Sequence, residues 1–229
     1  MDLKLNILLN KLKCNNSVSP VILYFYLMNF QAENIKQALQ KTLPGTSSHS
    51  KMLPPNRPLM ADSHKRKHLK HSSVLLLLFE ENEDLFACLI KRPKHMKHHA
   101  GQIALPGGRV EKSETALETA LRETHEEIGI PRESITILGS LSELYVAVSQ
   151  FLIYPFVGWL DTKPEFKVNH DEVEKTVVFP LLQFNNNFEE EELETITGKL
   201  KVPCIRYNGE IIWGATAMIL SEFYDILNV

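Results

Sequence analysis

The segment from Gly108 to Ile130 constrains this chain more than any other feature, because its apolar and acidic residues repeat with the period of an α-helix. Its sequence is GRVEKSETALETALRETHEEIGI. At about 100° per residue, one arc collects the side chains that would bury against a sheet: Leu117, Ala120, Leu121, Thr124 and Ile128. The pattern predicts a helix over Ser113–Ile128 that ends at Gly129 and Pro131.

Three carboxylates occupy the arc beside the apolar one. Glu123 and Glu127 are i,i+4 neighbours, with Cβ atoms expected about 5–6 Å apart, and Glu126 lies next to them. Like charges at this spacing oppose helix formation unless a cation lies between them. Mg²⁺ takes a few carboxylate oxygens and keeps waters or substrate phosphates in its other positions. The double glycine Gly107–Gly108 would let the backbone come close enough to add a carbonyl ligand.

The full spacing resembles the Nudix box, G-x5-E-x7-R-E-U-x-E-E-x-G-U, in which U is aliphatic. An isolated pair of glutamates would ordinarily be a solvated helix face. Here the fixed positions are all matched, by Gly108, Glu114, Arg122, the three carboxylates and Gly129. A chance match in a chain of this size is on the order of one in a million. Thr124 departs from the pattern, but its methyl group suits the buried position of an aliphatic residue.

The resemblance implies a role for each of these residues. The three carboxylates would bind Mg²⁺ or Mn²⁺, and Gly107 would offer its carbonyl. Arg122 would hold Glu123 by a charge-assisted hydrogen bond, and Glu114 would support the loop and helix or touch an outer metal. Nudix hydrolases cleave a nucleoside diphosphate linked to another moiety. Their metal ions neutralise the pyrophosphate and activate a water.

Residues 89–108, LIKRPKHMKHHAGQIALPGG, resemble the signature upstream of the box in coenzyme A diphosphatases, L-L-T-x-R-S/A-x3-R-x3-G-x3-F-P-G-G. Arg92, Gly101 and the segment 106–108 match in register. Lys97 stands in place of an Arg and keeps the charge without the bidentate fork. The other departures are Ile90–Lys91, Pro93 and Leu105. The basic, histidine-rich residues 91–99 suit a substrate with an extra phosphate, as in the 3′-phosphate of coenzyme A.

Segments 49–57, 138–160, 172–181 and 212–220 also look like this subgroup, so the resemblance covers roughly residues 30–228. It implies substrate-binding positions at Arg92, Lys97, Gly101, Gln102, Tyr145 and Phe151. An aromatic side chain there would stack on adenine or belong to the core, and both interpretations stay open. By resemblance, Glu123 would promote the attack of water. Glu172, in the later acidic segment, is the second choice for this base or an extra metal ligand.

The remaining pattern alternates irregularly between strands and helices, which favours an α+β fold. The Nudix resemblance implies an α/β/α sandwich with a mixed sheet. Strands are expected at Ser73–Phe79, Leu85–Lys91, Ile135–Leu144, Phe151–Leu160 and Val177–Phe179. A helix is expected at Asn29–Leu43, and a short strand followed by a helix at Ile211–Leu227. The acidic run Glu189–Glu194 is expected to open a helix or a loop.

Length and composition indicate how many domains the chain can form. The 229 residues, 44% of them hydrophobic, suffice for one substantial core. Residues 1–27 are unlike the rest and are expected to be an extension, with Met28 as an alternative start, so the Nudix domain would span 28–229. The apolar run Val21–Met28 is too short for a bilayer span of about 20 residues, and no membrane association is expected.

The net charge and the cysteines indicate which partners and which cellular compartment to expect. The net charge of −3 argues against a dedicated nucleic-acid binder. No aromatic residue interleaves the basic stretches HKRKHLKH and KRPKHMKHH, as single-strand stacking would require. The three cysteines are widely spaced and form no CxxC pair, which indicates free thiols and a reducing, cytoplasmic location.

The expected function is hydrolysis of the pyrophosphate bond of coenzyme A or its thioesters. The products would be 3′,5′-ADP and 4′-phosphopantetheine, with Mg²⁺ or Mn²⁺ as cofactor. Two alternatives stay open: a Nudix enzyme for NADH, ADP-ribose or a nucleoside triphosphate, and a non-catalytic module that binds a nucleotide or a nucleic acid. The sequence pattern specifies no oligomeric state.

Overall fold

The computed structural model of the protein describes residues 32–59, 69–96, 99–184, 188–195 and 198–227. The extension expected at residues 1–27, the alternative start at Met28 and the basic residue Lys97 lie outside these ranges. The statements about them therefore stay predictions.

A mixed sheet lies at the centre of the fold. Among the described residues it has eight strands: β1 (Lys70–Glu81), β2 (Asp84–Lys91), β3 (Ile103–Ala104), β4 (Gly107–Arg109), β5 (Thr136–Ser140), β6 (Leu144–Val146), β7 (Phe151–Leu160) and β8 (Lys175–Pro180). The central pair, β1 and β7, is parallel. The other pairs are antiparallel. β2 pairs with β1, β3 and β8, and β4 pairs with the first half of β1. β7 also pairs with β5 and β6.

Helices cover both faces of this sheet. They are α1 (Ala32–Leu39), α2 (Thr46–His49), α3 (Ala116–Ile128) and α4 (Gly214–Leu227), with 3-10 turns at Ser50–Met52, Arg132–Ser134 and Leu181–Gln183. α3 packs on one face, and α1 and α4 pack on the other. This confirms the expected α+β fold, an α/β/α sandwich with a mixed sheet. In the described ranges, no helix combines the length and the apolar character that a bilayer span requires.

The continuous apolar run of β1 shows why the sheet is covered on both sides. Leu75–Phe79 is fully buried, as expected for a strand with packing on both faces. Its even-numbered leucines pack with side chains of α1 and α4, whereas Leu75, Leu77 and Phe79 pack with Ala120 and Ile128 of α3. We call the side of the sheet that carries Leu75, Leu77 and Phe79 the α3 face. Strand alternation assigns every other strand residue to one of the two faces.

The expected strands are present, with one correction. Ile135–Leu144 forms two strands, β5 and β6, instead of one. The pairing with β7 is interrupted between them, because the backbone N–H of Ser142 donates to the carboxylate of Glu222 at 3.2 Å. The helix expected at Asn29–Leu43 corresponds to α1 and ends earlier, at Leu39. The C-terminal segment is a strand followed by a helix, as expected.

A second sheet contains β9 (Glu189–Thr195), β10 (Gly198–Tyr207) and β11 (Glu210–Trp213). The expectation of a helix or loop at Glu189–Glu194 is therefore wrong. Cations of the antiparallel strand β10 lie opposite these glutamates: Lys199 pairs with Glu192 at 3.0 Å, and Lys201 pairs with Glu190. Opposite charges on neighbouring strands stabilise a sheet, which explains how an acidic run adopts this structure.

A buried polar network connects α4 to Gly45, to His49 of α2 and to Ser142 between β5 and β6. The carboxylate of Glu222 accepts hydrogen bonds from the backbone N–H groups of Gly45 and Ser142, and its Oε2 lies 2.9 Å from Nε2 of His49. Burial by itself would raise the pKa of Glu222, but the hydrogen bonds from His49 and Ser142 lower it overall. A carboxyl with a lowered pKa stabilises the fold above its unfolded pKa, and that contribution is lost as the pH falls through the folded value.

We expect Glu222→Ala to lower the free energy of unfolding by roughly 3–5 kcal/mol, because it leaves His49 and two backbone N–H groups buried without their acceptor. In a chain of this size the melting temperature would fall by about 10 °C. Thermal unfolding followed by circular dichroism measures this. The difference from the unchanged protein should shrink as the pH falls below about 4.

The control is Lys199→Ala, which removes an exposed ion pair with Glu192. Such pairs contribute about 0–1 kcal/mol, so its melting temperature should change by only a few degrees. An equally small effect of Glu222→Ala would contradict the structural importance of the buried network.

Candidate active site

Helix α3 begins at a capping box. The hydroxyl of Thr115 accepts a hydrogen bond from the backbone N–H of Glu118, and the carboxylate of Glu118 accepts one from the backbone N–H of Thr115 at 2.7 Å. This arrangement starts the helix at Ala116 rather than at Ser113, the expected limit. The helix ends at Ile128 as expected, and Gly129 follows with φ 73°. The left-handed conformation is one that glycine adopts readily.

Thr124 occupies the buried position where the motif has an aliphatic residue. It is fully buried, and its hydroxyl donates to the carbonyl of Ala120 at 2.7 Å. The polar atom is therefore satisfied within the helix, so the departure from the motif leaves no buried hydroxyl without a partner.

The double glycine lets β4 lie directly against the carboxylates of α3. A Cβ atom on Gly108 would come within 2.2 Å of the carboxylate of Glu123, and one on Gly107 would come within 2.3 Å of the carbonyl oxygen of Ser73. The backbone N–H of Gly107 donates to Glu127 Oε2 at 2.9 Å. Only glycine permits this close approach, because any side chain would collide with the helix or the neighbouring strand.

Three carboxylates converge beside β4. One oxygen of each of Glu123, Glu127 and Glu172 lies within 4.8 Å of the others. Glu123 and Glu127 come from successive turns of α3, whereas Glu172 comes from the segment between β7 and β8. Glu127 is buried, and the other two are partly buried. We call these three residues the carboxylate cluster.

Burial of like charges dominates the electrostatics of the cluster. Burial raises the pKa of Glu127 to about 8; the N–H of Gly107 opposes this increase, whereas the charges of Glu123 and Glu172 add to it. Burial also raises the pKa of Glu123, although the Arg122 guanidinium opposes it. Carboxyl groups with these neighbours are stabilised in their charged form by a nearby cation.

The donor set fits a hard divalent cation. Three carboxylate oxygens within 4.8 Å of one another can reach a common ion, and oxygen ligands are those that Mg²⁺ and Mn²⁺ prefer. Protein carboxylates that supply only part of the ligand set leave positions for water or substrate phosphate.

Arg122 lies among three carboxylates at the side of the cluster. Its guanidinium donates to both oxygens of Glu114, at 3.0 and 2.8 Å, and its Nη1 lies 2.9 Å from Glu123 and 2.8 Å from Glu126. The contact expected between Arg122 and Glu123 is thus present. Glu126, a predicted metal ligand, points to Arg122; its side chain is 49% exposed, and the residue is not part of the carboxylate cluster.

The loop that follows β2 brings Arg92 to the cluster. Nη1 of Arg92 lies 3.8 Å from Oε1 of Glu127. The loop is closed by two backbone hydrogen bonds, from the N–H of Arg92 to the carbonyl of Gln102 and from the N–H of Gly101 to the carbonyl of Arg92. Among the residues the structure describes, Nε of Arg92 is the buried side-chain polar atom that has no hydrogen-bond partner.

No contact with the carboxylate cluster is recorded for the other predicted substrate-binding residues that the structure describes. The side-chain oxygen Oε1 of Gln102 accepts a hydrogen bond from Nδ1 of His99 at the surface, at 2.9 Å. Tyr145 is buried. Phe151 is partly buried against the core beneath α1 and α4, on the side opposite the α3 face. The structure thus brings Arg92 to the carboxylates and does not bring Phe151 there.

The α3 face continues past β4 through side chains that belong to none of the sequence motifs. Ser73, His71 and Tyr154 lie on this face by strand alternation. Their registers follow from pairing between distant segments. The alternation along β1 was the sequence signal available for His71, and it is weak because His71 precedes the apolar run.

Comparison with known proteins identifies the family. The family model described as the NUDIX domain matches residues 69–197. The chain is 34% identical over 137 residues to a Nudix hydrolase of Pectobacterium atrosepticum named NudL and described as uncharacterized, covering 58% of this chain and 71% of that protein. It is 32% identical over 162 residues to the protein of the same name from Yersinia enterocolitica, covering 69% and 82%.

Among solved structures, the MutT protein from Methanosarcina mazei Go1 is similar with a TM-score of 0.48 and 18% identity, covering 70% of this chain and 95% of that one. The chain belongs to the Nudix hydrolases. It is accordingly an enzyme that hydrolyses pyrophosphate bonds in nucleoside diphosphate derivatives, and such enzymes generally use divalent ions, commonly Mg²⁺ or Mn²⁺. The non-catalytic alternative is thereby set aside.

We expect Arg122→Leu to raise the pKa of Glu114 from about 2 toward the ordinary value of about 4.3. The hydrogen bonds from Arg122 are the largest cause of the lowered pKa. A pH titration of the side-chain carboxyl carbons by NMR measures the change.

Glu118 is the internal control for this titration. Its pKa is lowered by hydrogen bonds from Thr115, and it should titrate as before in the variant. An unchanged pKa of Glu114 would show that Arg122 does not hold this carboxylate in solution.

Proposed function

We propose that the enzyme hydrolyses the pyrophosphate bond of coenzyme A or its thioesters to 3′,5′-ADP and 4′-phosphopantetheine, which stays acylated if the substrate was a thioester. The observation that carries the proposal is the position of Arg92 beside Glu127 with a buried N–H that has no partner among the described residues. Arg92 belongs to segment 89–108, which resembles the coenzyme A diphosphatase signature. An unpaired guanidinium N–H next to the cluster suits a phosphate oxygen of the substrate.

The proposed metal ligands are Glu123, Glu127 and Glu172, with the carbonyl of Gly107 as a further donor and Glu126 as an outer ligand. Bound Mg²⁺ or Mn²⁺ supplies charge neutralisation of the diphosphate and lowers the pKa of a water, so that hydroxide is available at neutral pH. Gly108 leaves the space that the Glu123 carboxylate occupies, and Gly129 ends α3 in the left-handed conformation.

Side chains of this protein orient the substrate and take the proton from the attacking water. Arg122 fixes the carboxylate of Glu123, which accepts the proton of the attacking water at a carboxylate oxygen, with Glu172 as the second choice for this base. The water oxygen forms a bond to one phosphorus of the diphosphate, and the bond from that phosphorus to the bridging oxygen breaks. Arg92 donates to a non-bridging phosphate oxygen and stabilises the charge that develops there. Gly101 and Gln102 hold the loop that carries Arg92.

We expect Glu123→Gln to lower turnover by a factor of about 10²–10⁴, the usual contribution of a positioned general base. The amide keeps the shape but neither accepts the proton nor contributes a negative charge. Steady-state release of phosphate-containing products, measured with Mg²⁺ and Mn²⁺, tests this. The thermal unfolding of the variant should stay close to that of the unchanged protein.

Glu118→Gln is the matched control, because Glu118 lies on the same helix and an amide can replace it in the capping box. Its turnover should change little. Near-normal turnover of Glu123→Gln would contradict the assigned base.

We expect coenzyme A to be hydrolysed with a kcat/KM at least about ten times that of dephospho-coenzyme A, because the basic residues 91–99 suit its 3′-phosphate; a ten-fold difference corresponds to about 1.4 kcal/mol. A hydrolysis panel with NADH, ADP-ribose and ATP under the same conditions completes the test. Chelation of divalent ions should abolish turnover in every case, and their return should restore it. Preference for a substrate without the 3′-phosphate would overturn the proposed substrate.

A further inference from the structure

A row of neighbouring residues crosses strands β4, β1 and β7 on the α3 face and ends just before β6. Ser73 of β1 pairs with Gly108 of β4 on one side and with Tyr154 of β7 on the other. In β6, Leu144 pairs with Ile153, so the preceding residue, Glu143, lies beside Tyr154. The row therefore runs from the glycine that contacts the Glu123 carboxylate to a tyrosine two strands away.

The row lies on the same side of the sheet as the carboxylate cluster. Leu75 and Leu77 pack beneath α3, and strand alternation places Ser73 and His71 on that face as well. Phe156 packs beneath α3 in the same way, so Tyr154 shares its face. Neighbouring strands are about 4.8 Å apart, which puts Tyr154 roughly 10 Å from Gly108 along the row. This separation matches that between the base and the diphosphate of an extended nucleotide.

His71 and Tyr154 form a pair of nearly parallel rings. Their planes differ by 16°, and their centroids are 5.8 Å apart. Nδ1 of His71 lies at hydrogen-bond distance, 2.9 Å, from the hydroxyl of Tyr154. A parallel pair with this centroid distance is offset, so neither ring covers the whole face of the other. His71 is exposed and Tyr154 is partly buried, so a ligand can reach the pair from solvent.

We propose that Tyr154 and His71 form a platform on which the base of the nucleotide substrate stacks while its diphosphate lies at the carboxylate cluster. Aromatic rings bind a nucleobase through its face, which every base offers. The hydrogen bond between the two side chains holds both rings in one orientation before the substrate arrives. The charge of Glu143 lies at the edge of the platform, where it can accept a hydrogen bond from an amino group of the base.

The platform rests on the proposed function only in that the substrate is a nucleotide. The test uses the full chain in Mg²⁺ and two probes that differ by the base alone, AMP and ribose 5-phosphate, with dissociation constants measured by calorimetry. The unchanged protein should bind AMP more tightly than ribose 5-phosphate. Equal affinity for the two probes would overturn the platform.

Tyr154→Leu should weaken the binding of AMP by about ten-fold or more, as loss of one base–aromatic stack does, and leave the binding of ribose 5-phosphate as it was. Tyr154→Phe, which keeps the ring and loses the hydroxyl, should restore most of the AMP affinity. An unchanged dissociation constant for AMP in Tyr154→Leu would overturn the proposal, and so would an equal loss for both probes.

His71→Leu provides a second variant, at an exposed position. We expect it to weaken AMP binding several-fold and to spare ribose 5-phosphate; no change in AMP affinity would remove His71 from the platform. The outcome is separate from that of the hydrolysis panel. If coenzyme A is not preferred but AMP binding depends on Tyr154, the proposed substrate fails and the platform stands, and the reverse result removes the platform alone.

Discussion

The close contact between helix α3 and the backbone of β4 is the constraint on which the rest of this structure depends. Gly108 leaves the space that the Glu123 carboxylate fills, and Gly107 donates its N–H to Glu127. The helix can approach this closely because Ala120 and Ile128 are buried against the odd-numbered side chains of β1. Hydrophobic packing thus holds acidic side chains at a depth where their charges interact strongly.

Two kinds of positive charge balance this acidic site. Arg122 is a fixed counter-charge on the helix itself, and its bonds to Glu114, Glu123 and Glu126 keep one side of the helix ordered. On the other side, Arg92 is the cation beside Glu127, at 3.8 Å, and a divalent ion fits the carboxylates that remain. Arg122 thus neutralises part of the negative charge permanently, whereas the rest of the charge is left for a bound ion to neutralise.

Much of the fold could be predicted because its signals are local. The apolar run of β1, the strand at Phe151–Leu160 and the order of strand and helix in the C-terminal segment follow from periodicity and from turn residues. The acidic run at Glu189 is different. It has no strand-like alternation of its own, and it becomes a strand because Lys199 and Lys201 lie opposite it in β10. The break at Ser142 likewise depends on Glu222, far away along the chain.

The sequence by itself determined the helix, its acidic arc and the glycines before it, because the spacing of residues within one helix follows from local hydrogen bonding. Only the tertiary structure decided which carboxylates meet. It brought Glu172 to Glu123 and Glu127 and turned Glu126 toward Arg122. It also put Phe151 on the opposite face, and it put Tyr154 in the row that begins at Gly108 and passes through Ser73. These positions depend on strand register and on loops between distant segments, and a shift of one residue in register exchanges the two faces of a strand.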